Sequence, residues 1–255
     1  MKYMVLMYGA ENCWNDEERK DCMVGCLQIC DELTARGRFI ATSPLQSVST
    51  AKTIRVQDGR QLITDGPFAE TTEQLGGYFL LELADLDEAI EVASRLPPVQ
   101  KGTAEIRPLF PLEGTPSSRS FPVGTSDPKG TPFILLVYHN EASLRELGEV
   151  AMQKCKAEAA TRCCELKAAG KYLNASPLHP AATATCVRVR DGKREIFDGP
   201  FAETHEVLGG FYLVLAESQE EALRIAAQQP GARLGSVEVR EIYDFSGLHN
   251  SVSIS

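Results

Sequence analysis

Residues 65–71 read DGPFAET, and the same seven letters return at residues 198–204. The match continues outward from the motif at the same offset of 133 residues. EQLGGYFLLEL at 73–83 corresponds to EVLGGFYLVLA at 206–216, and ARGRFIATSPL at 35–45 corresponds to AAGKYLNASPL at 168–178. Because self-similarity over this length indicates duplication, the sequence predicts two copies of one small domain.

The stretch between the copies is dense in Pro, Gly, Ser and Thr. This composition disfavours helix and strand and is typical of an extended linker. We therefore expect a first domain at 1–112, a linker at 113–130, a second domain at 131–248 and a tail at 249–255.

Composition excludes several classes of function. The net charge is −9 and no basic run occurs, so we expect no nucleic-acid partner. The N-terminal apolar run is short and is followed by acidic residues, unlike a signal peptide. No apolar stretch is long enough to cross a bilayer, so we expect a cytoplasmic protein without a membrane partner.

Hydrophobic periodicity predicts an α+β unit. KYMVLMY at 2–8 reads as a buried strand, and residues 16–36 as a helix with Asp16 as a possible N-cap and Gly37 at its C-terminus. TIRVQ-DG-RQLIT predicts a hairpin, because Asp-Gly suits a type I′ turn. A strand at 76–83, a helix capped by Asp85 and a last strand AEIRPL complete a ferredoxin-like order with an extra hairpin.

The cysteines favour packing over metal binding. Cys22, Cys26 and Cys30 recur every four residues and so line one helix face, where cysteine acts as a small apolar residue. No CxxC sequence occurs, so the paired spacing that is typical of zinc ligands is missing. The pairs Gly76-Gly77 and Gly209-Gly210 lack phosphate-loop spacing and favour a bulge or close backbone approach, so no cofactor is expected.

DGPFAET, the E-x-L-G-G stretch with its aromatic pair, and a closing strand ending in E-[IV]-R together resemble the DGPF branch of the YCII-related family. The resemblance covers nearly all of both copies. It implies two ferredoxin-like domains of the dimeric α/β-barrel type, packed as an intrachain pseudo-dimer, with further homo-oligomerisation open.

The resemblance leaves three functions open. The first is binding of a small anionic or carbonyl-bearing molecule in a barrel cleft. The second is lyase, isomerase or dehalogenase chemistry, for which a His–Asp pair has been proposed in relatives. The third is a non-catalytic regulatory or interaction role in the context of an extracytoplasmic-function sigma factor. Fold alone does not choose among them.

Carboxylates of the motif are candidate acid–base groups. Asp65 and Asp198 either form a turn or stand at a cleft mouth and move a proton. Glu70 and Glu203 belong either to a surface loop or to an acid–base pair, since neighbouring carboxylates separate their pKa values. Thr71 and Thr204 beside them are candidate ligand-binding residues of the same motif.

The closing strands add two arginines. Arg107 follows Glu105 by two residues, and Arg240 follows Glu238 likewise, so each pair shares a strand face. A same-face ion pair is one interpretation. The other is that each guanidinium receives a ligand carboxylate.

All four histidines lie in the second copy. His179 is either an exposed loop residue or a cleft residue. Because histidine titrates near neutral pH, we expect the more capable catalytic site in the second copy, on Asp198, Glu203 and His179.

Overall fold

The computed structural model describes residues 1–68, 72–118, 130–202 and 204–244. The first copy contains β1, α1, β2, β3, β4, β5, α2 and β6, at Lys2–Gly9, Asp16–Ala35, Phe39–Pro44, Lys52–Gln57, Arg60–Asp65, Gln74–Glu82, Leu86–Arg95 and Thr103–Pro108. Short 3₁₀ turns lie at Val48–Thr50 and Pro97–Gln100.

The second copy repeats this order with one added short helix after its first strand and with a short helix in place of the Pro97–Gln100 turn. Its elements are β7, α3, α4, β8, β9, β10, β11, α5, α6 and β12, at Thr131–His139, Glu141–Glu146, Gly148–Ala168, Tyr172–Pro177, Thr185–Arg190, Lys193–Asp198, Val207–Ala216, Gln219–Ala227, Gly231–Leu234 and Gly235–Glu241. A 3₁₀ turn occupies Ala181–Thr183.

Each sheet takes its hairpin from the other copy. One sheet has the order β10-β9-β6-β1-β5-β2, and the second has β4-β3-β12-β7-β11-β8. The closing strand β6 thus pairs with β9, and β12 pairs with β3. The exchange joins the copies through backbone hydrogen bonds in both sheets.

Strand alternation divides the apolar residues between three layers. On β1, Val5 faces the core beneath α1 and α2, whereas Leu6 faces a central core shared by both sheets. On β7, Leu136 joins the central core and Leu135 joins the core beneath the helices of the second copy. The two sheets therefore pack face to face as the expected intrachain pseudo-dimer.

Local geometry follows the sequence at most elements. Asp58 and Gly59 both have positive φ, of 50° and 73°, which confirms the two-residue hairpin turn. The N-cap of α1 differs from the expectation. It is Asn15, whose side chain accepts from the backbone N–H of Glu18 while the Glu18 carboxylate accepts from the Asn15 N–H. This reciprocal capping box excludes Asp16 from the cap and places it in the first turn.

The glycine pairs sit where the strand register shifts. Between β1 and β5 the pairing jumps at Met7 and Tyr8, leaving Gly76 unpaired, and β11 shows the same break between Leu208 and Gly210. A Cβ on Gly77 would lie 3.0 Å from the carbonyl oxygen of Ser43. Both parts of the expectation, a bulge and a close backbone approach, are confirmed.

Candidate functional site

A pair of buried ion pairs lies where the two copies meet. On β6, the Arg107 Nη1 lies 3.1 Å from the Glu105 Oε1, and on β12 the Arg240 Nη1 lies 3.2 Å from the Glu238 Oε1. The arginines are 1% exposed and the glutamates 3%. The predicted same-face ion pairs are confirmed.

The second oxygen of each glutamate holds the motif of the other copy. The Phe201 N–H donates to the Glu105 Oε2 at 2.8 Å, and the Phe68 N–H donates to the Glu238 Oε2 at 2.9 Å. Each motif reaches this point through a glycine at positive φ, Gly66 at 96° and Gly199 at 99°. DGPF is therefore a turn that docks each exchanged hairpin onto the opposite copy.

Aromatic stacks complete this arrangement, which we call the central clasp (Glu105, Arg107, Glu238, Arg240, Tyr8, Tyr138, Phe68 and Phe201). Tyr8 stacks on Phe201, and Tyr138 on Phe68, each with ring centroids 4.5 Å apart. Burial, and then the nearby Glu105 or Glu238, raises the pKa of both tyrosines well above the usual range. Both phenols are therefore protonated at neutral pH.

The motif aspartates point away from this centre. Asp65 ends β4 with its side chain 87% exposed and accepts from the Lys52 Nζ at 2.5 Å, which lowers the pKa of its carboxyl group. Asp198 ends β10 and is also exposed. Neither carboxylate lines the cavity of about 70 Å³ at this centre or the cavities of about 510 Å³ and 140 Å³ in the two copies. Their acid–base role stays a prediction.

The other predicted site residues are dispersed. The His179 N–H donates to the Pro108 carbonyl at 3.0 Å, and its own carbonyl accepts from the Arg107 Nη2 at 2.5 Å. Within the described ranges, no hydrogen bond or ion pair joins His179 to Asp198. Thr204 is exposed and borders a cavity of about 70 Å³ at the central clasp. Glu70, Thr71 and Glu203 lie outside the described residues.

A much larger cavity lies in the first copy. It has a volume of about 510 Å³ and extends between α1, the loop that precedes it and the adjoining ends of β1, β2 and β5. Its wall includes Trp14, Arg19 and Ser43, together with Arg240 from the second copy. The Arg240 Nε is buried and has no hydrogen-bond partner in the described part of the chain.

One residue difference narrows the equivalent cavity of the second copy, which has a volume of about 140 Å³. His139 follows Tyr138 at the end of β7, as Gly9 follows Tyr8 at the end of β1. A Cβ built on Gly209 would meet the His139 ring at 1.6 Å, whereas one on the matching Gly76 meets only a backbone oxygen at 3.8 Å. The imidazole fills space that Gly9 leaves open.

Burial also fixes the charge of that imidazole. It lowers the pKa of His139 from 6.5 to about 4, and the Arg107 charge adds to the lowering while Glu141 opposes it. His139 is thus a neutral filling group at pH 7.

The helical cysteines share one face, as predicted, but that face is partly a cavity wall. Cys30 is buried in the core, whereas Cys22 and Cys26 are half-buried, and all three line the first-copy cavity. The core-filling interpretation is therefore incomplete. Across the described ranges, no three His, Cys, Asp or Glu side chains converge in a way that could hold a metal ion.

The difference between Gly9 and His139 was not predicted from the sequence. The repeat offset is 133 residues over most of the domain, but at β1 and β7 it is 130, because the second copy has three more residues before α4. The signal was available: the apolar runs LMYG and LVYH align through their tyrosines.

These features define a class of protein: two ferredoxin-like units in one chain, joined by exchanged hairpins, with a cavity of about 510 Å³ beneath α1. The model of the YCII-related domain matches residues 1–113 and again 131–246, so the chain belongs to the YCII-related family as a tandem duplication.

One curated relative and two solved structures are similar to this chain. The uncharacterized protein R00369 of Rhizobium meliloti (strain 1021) is 35% identical over 114 residues, which is 43% of this chain and 92% of that protein. A crystal structure of a candidate dyp-type peroxidase from Shewanella oneidensis aligns over 100% of this chain and 95% of its own, with 11% identity and a TM-score of 0.53. At that identity the likeness shows the fold alone. The encapsulated DyP-type peroxidase from Mycobacterium smegmatis aligns over 96% and 94%, with 12% identity and a TM-score of 0.43.

No helix in the described part of the chain has the length and apolar character needed to span a membrane.

Proposed function

We propose that this protein binds a small anionic or carbonyl-bearing molecule in the first-copy cavity. The observation that carries the proposal is the cavity itself, with a volume of about 510 Å³ against about 140 Å³ at the equivalent place. Pockets for small ligands run from roughly 300 to 1,000 Å³, so the first falls in this range and the second does not.

Polar groups in the cavity wall support a ligand with a carbonyl or carboxylate. Arg240 brings a buried guanidinium whose Nε lacks a partner, and an unmet buried donor is costly. Arg19 adds a second cation and Ser43 a hydroxyl. Glu11 also lines the wall, but its carboxylate already accepts from Ser47 and from the Val48 N–H.

The proposed site lies in the first copy, whereas the histidines led us to expect it in the second copy. Histidines favoured the second copy, yet there His139 occupies the space a ligand would need. We therefore place the ligand in the first copy, which contains no histidine. The duplication then divides two roles between the copies. The first copy keeps an open cavity, and the second copy supplies Arg240 to the wall of that cavity.

The single tryptophan gives a direct test. Trp14 lines the cavity and is the only tryptophan in the chain, so its fluorescence reports on occupancy there. We expect a saturable change on titration with 2-ketohexanoate or γ-hexalactone, which share a six-carbon skeleton and differ in charge. Arg19→Gln should weaken binding of the keto acid more than that of the lactone.

Two reciprocal variants serve as matched controls. Gly9→His copies the second-copy arrangement and should abolish the response, whereas His139→Gly changes the other cavity and should leave it intact. Equilibrium dialysis provides a readout independent of fluorescence. If neither probe binds, or if Gly9→His binds as the wild type does, the proposed site is wrong.

A further inference from the structure

The second copy shows which kind of group fits over its glycine bulge. The Cε1, Nδ1 and Nε2 atoms of His139 lie 1.6, 2.3 and 2.6 Å from the position that a Cβ on Gly209 would take. The imidazole ring therefore occupies the space of the side chain that Gly209 lacks. Burial lowers the pKa of this histidine to about 4, so the ring in that space is uncharged at pH 7.

The corresponding space of the first copy is open. A Cβ on Gly76 would meet, among the described residues, only the Met7 carbonyl oxygen, at 3.8 Å. Gly9 stands where the second copy has His139, and it has no side chain to reach this space. The first-copy cavity thus has room over Gly76 for a flat ring that the protein itself does not supply.

The helix that completes the cavity wall is alike in the two copies. Cys22 and Cys26 of α1 line the first cavity, and Cys155 and Ala159 of α4 line the second. These residues correspond at the repeat offset of 133. Because all four side chains are short, a ring that fits between helix and bulge in one copy has matching room in the other.

Arg240 stands beside the open space. Its Nη1 donates to the carbonyl of Leu75, the residue before Gly76, at 3.3 Å, and its Nη2 also has a carbonyl acceptor. The buried Nε has no partner in the described part of the chain, so it is the donor left for a ligand. The charge of the matching Arg107 reaches the His139 ring, since it helps to lower the pKa of that imidazole. An arginine therefore lies near the ring position in both copies.

We propose that the first-copy cavity takes an aromatic carboxylate, with its ring over Gly76, where His139 fills the matching place over Gly209, and its carboxylate on the Arg240 Nε. This assignment rests on the proposed function and narrows it to one class of ligand. The ring replaces the imidazole that the first copy lacks. The carboxylate gives the unmet buried donor a charged acceptor, and hydrogen bonds of that kind are the stronger ones.

A pair of probes tests the shape of the ring. Benzoate and cyclohexanecarboxylate have the same number of carbons and the same charge at pH 7, but only benzoate has a planar ring. We expect equilibrium dialysis to show benzoate bound about fivefold more tightly, because a thicker ring overpacks the space between helix and bulge. Gly76→Ala should weaken benzoate binding about tenfold by the same overpacking, with little change in the melting temperature of the free protein.

Exchange of the ring between the copies tests its position. His139→Gly should open the matching place beside Arg107, so that the chain binds a second molecule of benzoate. Dialysis should count this second molecule, whereas Trp14 in the first copy should not respond to it. Gly9→His should remove the benzoate site of the first copy. If His139→Gly does not fold, the two ring probes on the wild-type protein still decide the question.

The two arginines form a matched pair for the carboxylate. Arg240→Lys keeps the charge but removes the Nε donor, so it should weaken benzoate binding about tenfold. Arg107→Lys alters the equivalent ion pair and should lower stability in urea to a similar extent, yet it should leave benzoate binding in the first copy unchanged.

Three outcomes overturn the assignment. They are equal affinities for benzoate and cyclohexanecarboxylate, a folded His139→Gly variant that binds no second benzoate, and equal effects of the two arginine substitutions on binding. Failure here is distinguishable from failure of the proposed function. A response of Trp14 to 2-ketohexanoate without binding of benzoate would leave the cavity as a binding site and refute only the aromatic class.

Discussion

Glu105 uses both carboxylate oxygens, one for Arg107 and one for the Phe201 N–H of the other copy. Glu105→Gln removes the charge and leaves the buried guanidinium unpaired. Breaking a buried pair from one side costs about 3 kcal/mol, because the remaining charge loses its compensation. We expect that loss in the free energy of unfolding, measured by urea denaturation.

An exposed pair provides the control. Glu195 bonds to Arg188 in the hairpin β9–β10, with the two side chains 42% and 43% exposed. Exposed pairs contribute roughly 0–1 kcal/mol, so Glu195→Gln should barely change stability. Equal effects of the two substitutions would contradict a structural role for the central clasp.

His139 should make stability depend on pH. Its folded pKa is about 4 and its reference value 6.5. Below pH 6.5 the unfolded chain takes up a proton that the folded chain refuses. The contribution is therefore complete above pH 6.5 and is lost as the pH falls towards 4, by up to about 3 kcal/mol.

The test compares slopes rather than absolute stabilities, because other groups also titrate in this range. Urea unfolding between pH 7 and pH 4 should show a shallower decline for His139→Gln than for the wild type. His205 is exposed, so His205→Gln is the matched control and should follow the wild type. A His139→Gln slope equal to that of the wild type would show that the histidine is not held neutral.

Among the elements, α1 offers a test of its N-terminus. Asn15 and Glu18 exchange hydrogen bonds, and Asp16 lies within the first turn. Asn15→Ala should destabilise the protein by about 1 kcal/mol, since a backbone donor loses its acceptor. Asp16→Ala should cost less, because only a favourable interaction with the helix dipole is lost. The reverse order in thermal unfolding would assign the cap to Asp16.

The elements also show what sequence can and cannot predict. The short apolar run of β1, the Asp-Gly turn and the glycine bulges are local signals, and all could be read from the sequence. The strand with which each hairpin pairs could not be predicted from the sequence. The residues of β3 alternate in the same way whether this strand pairs within its own copy or with β12. The site divides in the same way. Glu105 and Arg107 are two residues apart and so were predictable, whereas the cavity depends on α1 standing over Gly9 and Gly76.

For the molecule as a whole, the exchanged hairpins make each copy part of the other's core. Val187 and Val189 of β9 lie in the core beneath α1 and α2, and Ile54 of β3 lies in the equivalent core of the second copy. Ile54 and Val187 occupy the same position of the repeat, 133 residues apart. A single copy on its own would expose part of its core to water, and its hairpin would lack the strand with which it pairs in the full chain.

A fragment of residues 1–112 should therefore dimerise, with Ile54 of each chain taking the place that Val187 occupies here. We expect light scattering to give twice the fragment mass, and the melting temperature to rise with fragment concentration. The full chain should show no such concentration dependence.

Two isoleucines that face each other across the hairpin sharpen this test. Ile54 is fully buried and pairs with Ile63, which is 49% exposed. In the fragment, Ile54→Asp would place a carboxylate in the partner's core and should abolish the dimer, because an unpaired buried charge is too costly. Ile63→Asp lies on the outer strand and should leave association unchanged. A fragment that is folded and monomeric at micromolar concentration would show that the hairpin can close on its own sheet, and that the exchange is a consequence of the linker rather than of the repeat.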